Sequence, residues 1–173
     1  MELVIKAMET DSEIRGKAYV HWKAWHETYR GMLDDAYLDA LSYEKCETLA
    51  YRWRSNTLVA MDGQDVIGFA AYDRRDETTG EVFALYVLGA YQGKGIGYAL
   101  MNRCIEALFG CSIVYVRALK ANEKAIAFYE RYGFVKDGSK EQITLGTPVT
   151  EIRMALERPF IQKSCPLGQP MGA

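Results

Sequence analysis

The stretch EVFALYVLGAYQGKGIG, residues 81–97, decides the fold of this chain. Its first half is rich in β-branched, aromatic and other apolar residues and predicts a strand over 81–88. Gly93, Gly95 and Gly97 then alternate with other residues and lead into a helical apolar pattern over 96–109. A helix N-terminus offers free backbone N–H groups and a favourable dipole, so the turn predicts a phosphate or pyrophosphate ligand.

The spacing of the glycines separates this turn from two better-known phosphate-binding turns. Gly95, rather than Ser or Thr, follows Lys94, which excludes a Walker nucleotide-binding loop. The pattern G-x-G-x-x-G is also absent, which argues against a dinucleotide-binding fold. The alternative to a ligand site is a turn whose glycines only let the helix pack closely on the sheet.

Helical and strand patterns on both sides of this stretch predict an α/β fold. Thr10 and Glu13 form a capping-box pattern that opens a helix ending near Gly31. A short helix follows, and Ser42 caps the next one, which carries Tyr43, Cys46, Leu49 and Trp53 on one side. The element order is β-α-α-α-β-β-β-α-β-α-β-β, which predicts a mixed central sheet of about seven strands flanked by helices. The predicted strands lie at 3–8, 57–61, 66–72, 81–88, 113–119, 134–138 and 150–156.

Length and composition limit the classes of protein to consider. The 173 residues suit one domain, which we place at 1–158, with a loose tail at 159–173. A net charge of -2 is too balanced to predict nucleic-acid binding. The chain lacks the apolar run of about 18 residues that a membrane span needs, and it lacks a signal-peptide pattern. The four cysteines form no CxxC pair, so we predict no metal site and expect reduced thiols in a cytoplasmic protein.

Two blocks of this sequence resemble the motifs of the GNAT N-acetyltransferase superfamily. Gln92-Gly93-Lys94-Gly95-Ile96-Gly97 is similar to the family's acyl-CoA signature Gln-x-x-Gly-x-Gly. The block NEKAIAFYERYGF, residues 122–134, is similar to the next family motif, and its Asn122 suits a helix cap. The two blocks cover 81–135, and the element order extends the resemblance over about 3–156. The N-terminal third resembles a common bacterial branch. The resemblance implies the acyl-CoA N-acyltransferase fold and an acetyl-CoA-dependent N-acetyltransferase.

The resemblance also implies where acetyl-CoA binds as co-substrate. It places the pyrophosphate on the backbone N–H groups of the glycine turn and the pantetheine arm along the strand at 81–88. A backbone N–H near Tyr86 is expected to donate to the thioester oxygen, where it stabilises developing charge. The implied cofactor contacts are Tyr86, Val87, Leu88, Gln92, Gly93, Lys94, Gly95, Ile96, Gly97, Tyr98, Asn122 and Tyr129.

Glu81 and Tyr129 are the catalytic candidates. Glu81 opens the motif strand, and we expect it to share a face with Phe83 and Leu85 in an apolar setting suited to a general base. A solvated glutamate with a water chain as base is the alternative. Tyr129 stands where the family tyrosine faces the CoA sulfur, so it is the candidate acid. Its alternative role is to pack its ring on the sheet and only order the thiol.

The acceptor is expected to be a primary amine of a small molecule or peptide. Trp25 and Tyr29 precede a turn that forms one wall of the acceptor pocket in relatives, so both are candidate substrate-binding residues. The competing hypothesis is a non-catalytic acyl-CoA-binding sensor or interaction module on the same fold. Pairing of the last strands between subunits in relatives suggests a homodimer.

Overall fold

A seven-stranded mixed sheet organises the molecule. The computed structural model describes residues 2–158, so the tail predicted at 159–173 lies outside the described residues. The strand order is β1-β2-β3-β4-β5-β7-β6, and β4–β5 is the parallel pair among the pairings of the described residues. The strands are β1 Leu3–Ala7, β2 Thr57–Asp62, β3 Asp65–Arg74, β4 Thr79–Val87, β5 Ile113–Leu119, β6 Val135–Leu145 and β7 Thr147–Glu157. The predicted fold class and element order are confirmed.

Helices cover both faces of the sheet. The helices are α1 Asp11–Tyr29, α2 Asp35–Asp39, α3 Tyr43–Arg52, α4 Ile96–Ala107 and α5 Glu123–Tyr132, with a short 3-10 turn at Gly89–Tyr91. Helices α1 and α3 pack on one face, here called the front face, and α4 and α5 pack on the other, the back face. Within residues 2–158, no helix combines the length and apolar character needed to cross a bilayer.

The starts of the helices agree well with the sequence. The Thr10 hydroxyl accepts from the Glu13 N–H at 3.2 Å, and the Glu13 carboxylate accepts from the Thr10 N–H at 3.1 Å. Ser42 caps α3 in the same way, through the N–H of Lys45. The stripe predicted along α3 extends too far, because Trp53 is 61% exposed and lies beyond the last helical residue. Cys46 and Ala50, one turn apart, form the buried side instead.

The parallel pair β4–β5 separates after a short contact. Pairing joins Thr79 to Ile113, Gly80 to Val114 and Glu81 to Tyr115, and then ends. Beyond this point β4 pairs only with β3, and β5 pairs only with β7. One edge of β4 is therefore left open over 82–87.

A β-bulge at Phe83 changes which side chains share a face. The register shifts so that Ala71 lies opposite Ala84 while Tyr72 lies opposite Val82, which leaves Phe83 as the extra residue. Val82 and Leu85 both pack in the back-face core, although simple alternation would place them on opposite faces. The prediction that Glu81 shares a face with Leu85 is therefore wrong.

The last two strands are longer than predicted. Strand β6 runs to Leu145 rather than ending near 138, and β7 begins at Thr147. Most residues of β6 are exposed and polar, so the segment lacks the alternation of apolar and polar residues that predicts a strand. Gly146, with φ of 78°, joins the two strands in a tight hairpin.

Candidate active site

A groove of about 700 Å³ lies where β4 and β5 separate. The open edge of β4 forms its floor, and the first turn of α4 and the inner side of α5 flank it. The groove therefore joins the two sequence blocks that resemble the acyltransferase motifs. Ten of the predicted cofactor contacts line it: Tyr86, Val87, Gln92, Gly93, Gly95, Ile96, Gly97, Tyr98, Asn122 and Tyr129. Leu88 and Lys94 do not.

The glycine turn opens α4 toward the groove. Gly95 is the N-cap with φ of 79° and ψ of 0°, a conformation that glycine adopts far more readily than other residues. The first helical bond runs from the Ala99 N–H to the Gly95 carbonyl at 3.0 Å. The N–H groups of Ile96, Gly97 and Tyr98 precede that bond and are left without helical partners. This arrangement suits an anion such as a pyrophosphate.

Gln92 and Lys124 tie the two motif blocks together. The Gln92 side-chain amide donates to the Val87 carbonyl on the open edge of β4 at 3.0 Å. The Lys124 ammonium donates to the other end of the same amide, so α5 is linked to the turn before α4. Lys124 and Arg131 also line the groove, and no sequence pattern separates them from ordinary surface cations.

Three tyrosine hydroxyls converge in the groove. The hydroxyls of Tyr29 and Tyr86 are 3.0 Å apart, and Tyr129 reaches the same region from α5. Burial is the main cause that raises the pKa of each of the three phenols, so all three keep their protons at neutral pH. The phenolic role of Tyr86 was missed from the sequence, which pointed only to its backbone.

The comparisons with known proteins agree with this geometry. The model of the acetyltransferase (GNAT) family matches residues 13–134. An uncharacterised N-acetyltransferase, YuaI from Bacillus subtilis (strain 168), is 32% identical over 131 residues, which cover 69% of this chain and 73% of YuaI.

The chain belongs to the acetyltransferase (GNAT) family. It is an acyltransferase, as the two sequence motifs predicted.

Solved structures show how widely this GNAT fold is shared. PaiA N-acetyltransferase from Thermoplasma acidophilum, in complex with coenzyme A, has a TM-score of 0.71 at 22% identity, covering 91% of this chain and 100% of that chain. YncA from Salmonella typhimurium, with its cofactor acetyl-CoA, has a TM-score of 0.67 at 16% identity, covering 96% of this chain and 98% of that chain. At such low identities the similarity establishes the fold alone.

Glu81 of this GNAT protein lies in a different environment from the one predicted. Its side chain is buried, but its carboxylate is bound by two guanidinium groups, Arg75 Nε at 2.7 Å and Arg117 Nε at 3.2 Å. The apolar setting expected for Glu81 is therefore wrong. Glu81 does not line the groove itself, although Arg117 does. Its role as general base stays a prediction.

Two of the three remaining candidates, Asn122 and Tyr29, line the groove. Asn122 is buried and caps α5 by accepting from the Ala125 N–H at 3.1 Å, as predicted. Tyr29 lines the groove, whereas Trp25 lies behind it with the two ring centroids 4.9 Å apart. Trp25 therefore packs on Tyr29 without lining the groove, and a substrate-binding role for either residue stays a prediction. Within residues 2–158, no group of three His, Cys, Asp or Glu side chains could hold a metal ion.

Proposed function

We propose that this acyltransferase transfers an acetyl group from acetyl-CoA to a primary amine of a small molecule or peptide, by direct attack within a ternary complex. One observation carries the proposal, namely that three kinds of group border one groove. They are the free N–H groups of α4, the open edge of β4 and the buried phenols of Tyr29, Tyr86 and Tyr129. These groups suit the pyrophosphate, the pantetheine arm and the thioester end of acetyl-CoA, respectively.

The backbone of β4 supports a hydrogen-bonded path for the pantetheine arm. The Leu88 N–H donates to the Ile67 carbonyl of β3 at 3.0 Å. Because successive N–H groups along a strand point to opposite edges, the N–H of Val87 points toward the groove. The donor predicted near Tyr86 is therefore best assigned to Val87. There it would stabilise negative charge that develops on a thioester oxygen.

The side chains support acyl transfer without a covalent intermediate. In the proposed reaction the amine nitrogen bonds to the acetyl carbon, the carbon–sulfur bond breaks, and the sulfur leaves with the electron pair. Tyr129 donates a proton to that sulfur, and its buried hydroxyl is protonated at neutral pH. Glu81 accepts the proton that the amine loses, and does so through water, because Glu81 does not line the groove itself.

Acceptor-dependent release of free thiol tests the proposal. The full chain is incubated with acetyl-CoA and a panel of primary amines, and coenzyme A affinity is measured separately by calorimetry. We expect micromolar to millimolar coenzyme A binding and thiol release that requires an amine. Binding without amine-dependent thiol would overturn catalysis and favour the non-catalytic acyl-CoA-binding module. A folded sample with no affinity for coenzyme A would overturn the assignment of the groove itself.

A further inference from the structure

Two side-chain hydrogen bonds attach the last turn of α1 to the open end of β4. The Glu27 carboxylate accepts from the Gly89 N–H at 3.0 Å, just after β4 ends at Val87. Two residues further along α1, the Tyr29 hydroxyl lies 3.0 Å from the Tyr86 hydroxyl. Helix α1 therefore contacts β4 in the part of that strand where β4 no longer pairs with β5.

The position of Glu27 within α1 is unfavourable for a carboxylate. The C-terminal end of a helix carries a partial negative charge, which disfavours an acidic side chain in the last turn. Lys23, one turn earlier, offsets this in part through an ion pair of 3.3 Å, although Lys before Glu is the weaker order for such pairs. The Gly89 N–H, a donor outside the helix, provides further compensation. Glu27 is therefore better suited to its contact with the end of β4 than to α1 itself.

Gly89 allows the carboxylate to come this close. A Cβ at Gly89 would lie 3.1 Å from Oε2 of Glu27 and 3.5 Å from its Cδ, so a larger residue would push the carboxylate away. Gly89 lines the groove together with Thr28 and Tyr29, the two residues that follow Glu27. Glu27 itself does not line the groove, so any effect it has on the reaction must pass through these neighbours.

Two further hydrogen bonds hold the backbone at the end of β4. The Leu88 N–H donates to the Ile67 carbonyl of β3 at 3.0 Å. The Gln92 side-chain amide donates to the Val87 carbonyl, also at 3.0 Å. These bonds fix the strand to its neighbour and to the turn before α4, whereas the Glu27 carboxylate ties the same backbone to α1.

We propose that Glu27 is a positioning residue for acyl transfer, because its bond to the Gly89 N–H fixes the last turn of α1 relative to the edge of β4 that carries the thioester. This inference rests on the proposed function. In that reaction an amine predicted to bind beside Tyr29 approaches a thioester whose oxygen is bound by the Val87 N–H. A displacement of about 1 Å between reacting groups can reduce a rate by roughly a hundredfold. The link therefore acts on kcat more than on the binding of coenzyme A.

Glu27→Ala and Glu27→Gln test this link in the full chain. Alanine removes the acceptor of the Gly89 N–H, and we expect kcat to fall about tenfold, while coenzyme A affinity in calorimetry changes less than about twofold. Glutamine keeps a side-chain oxygen that can accept the same bond, so its kcat should stay within about twofold of the wild-type value. Amide hydrogen exchange gives a readout that does not depend on activity, because the Gly89 N–H should exchange faster in the alanine variant than in the glutamine variant.

Lys23→Ala is the matched control, because it removes the ion pair of Glu27 and leaves the bond to the Gly89 N–H in place. Its kcat should stay within about twofold of the wild-type value. Gly89→Ala breaks the bond from the other side, since the added methyl displaces the flexible carboxylate. We expect kcat of Gly89→Ala to fall about tenfold, and the double variant with Glu27→Ala to show no further fall.

Four results would overturn the inference and leave acyl transfer intact. They are a wild-type kcat in Glu27→Ala even with a lower melting temperature, an equal loss of kcat in Glu27→Gln, an equal loss in Lys23→Ala, and additive losses in the double variant. Additive losses would mean that the methyl of Gly89→Ala acts on the bound substrate directly. If the wild type acetylates no primary amine, the proposed function is overturned, and the inference falls with it.

Discussion

The three tyrosines that line the groove limit which residue can accept a proton there. Burial raises the pKa of Tyr29, Tyr86 and Tyr129, so each phenol is a proton donor at neutral pH rather than a base. Glu81 is a buried carboxylate held by Arg75 and Arg117, and Arg117 reaches the groove. At the scale of single residues, we therefore assign the proton donor to a phenol and the proton acceptor to the Glu81 carboxylate.

Substitution of Tyr129 by Phe and of Glu81 by Gln separates these two roles. Tyr129→Phe removes the proton for the leaving sulfur, and we expect kcat to fall about a hundredfold while coenzyme A affinity changes less than about threefold. Glu81→Gln should lower kcat by a similar factor, because the neutral amide cannot accept a proton. Steady-state kinetics together with calorimetry of coenzyme A measure both effects.

Tyr132→Phe is the matched control, because Tyr132 lies on the same helix and its hydroxyl donates to Asn102 at 2.7 Å. The kcat of the Tyr132→Phe variant should stay within about twofold of the wild-type value. If Glu81→Gln lowers the melting temperature but leaves kcat unchanged, Glu81 only maintains the ion pairs with Arg75 and Arg117, and the proposed base role is wrong.

At the scale of elements, the conformation of the first turn of α4 depends on the backbone angles of Gly95 rather than on steric room for a side chain there. A Cβ at Gly95 would meet no atom within 4 Å, so a side chain fits there sterically. Its φ of 79° is nevertheless unfavourable for other residues, by about 1–2 kcal/mol. A non-glycine residue at this position would therefore rotate the N–H groups of the first turn out of their common direction.

Gly95→Ala should therefore weaken coenzyme A binding by about tenfold, because the free N–H groups of α4 lose their alignment. Gly63→Ala is the control, since Gly63 has φ of 60°, lies in the β2–β3 turn and would place an added Cβ more than 4 Å from any neighbouring atom. Both variants should lose about 1–2 kcal/mol of stability in urea titrations. Calorimetry should find weaker binding only for Gly95→Ala; equal affinities in the two variants would contradict the role of the turn.

The sequence predicted those elements whose signals are local. The capping box at Thr10 and the caps at Ser42 and Asn122 are each set by side chains within three residues, and all three are confirmed. The bulge at Phe83 could not be predicted, because it depends on pairing with β3. The ion pair between Glu81 and Arg117 was missed for the same reason, since the two residues are 36 positions apart in the chain.

At the scale of the whole molecule, the first and last thirds of the chain pack together beside Tyr29, the residue predicted to contact the acceptor. Leu33 and Leu38 come from the segment around α2, whereas Ile143 and Leu145 come from the final hairpin, and all pack in one cluster with Leu119. This contact could not be predicted from local patterns, because residues roughly a hundred positions apart form it. The position of Tyr29, and with it the acceptor site predicted there, therefore depends on how the hairpin docks.

Gly146 is the closest point of this docking and provides a direct test of it. A Cβ at Gly146 would lie 2.6 Å from the Cβ of Tyr37 and 3.2 Å from the Cβ of Asp34, so Gly146→Ala must push α2 and the hairpin apart. We expect Gly146→Ala to lower the free energy of unfolding by about 2–4 kcal/mol, because overpacking and the positive φ both destabilise the folded state. The KM for the amine should rise several-fold, because the Tyr29 wall shifts, while the KM for acetyl-CoA should stay within about twofold.

Gly138→Ala provides the comparison on the same hairpin, because Gly138 has φ of 85° and no atom within 4 Å of the added methyl position. The free energy of unfolding of this variant should fall by only about 1–2 kcal/mol, which is the cost of the backbone conformation. The KM values for the amine and for acetyl-CoA should stay at the wild-type level. Urea unfolding and initial-rate kinetics on the three proteins distinguish the two effects. A rise in the amine KM of equal size in both variants would mean that hairpin strain, rather than docking on α2, controls the acceptor site.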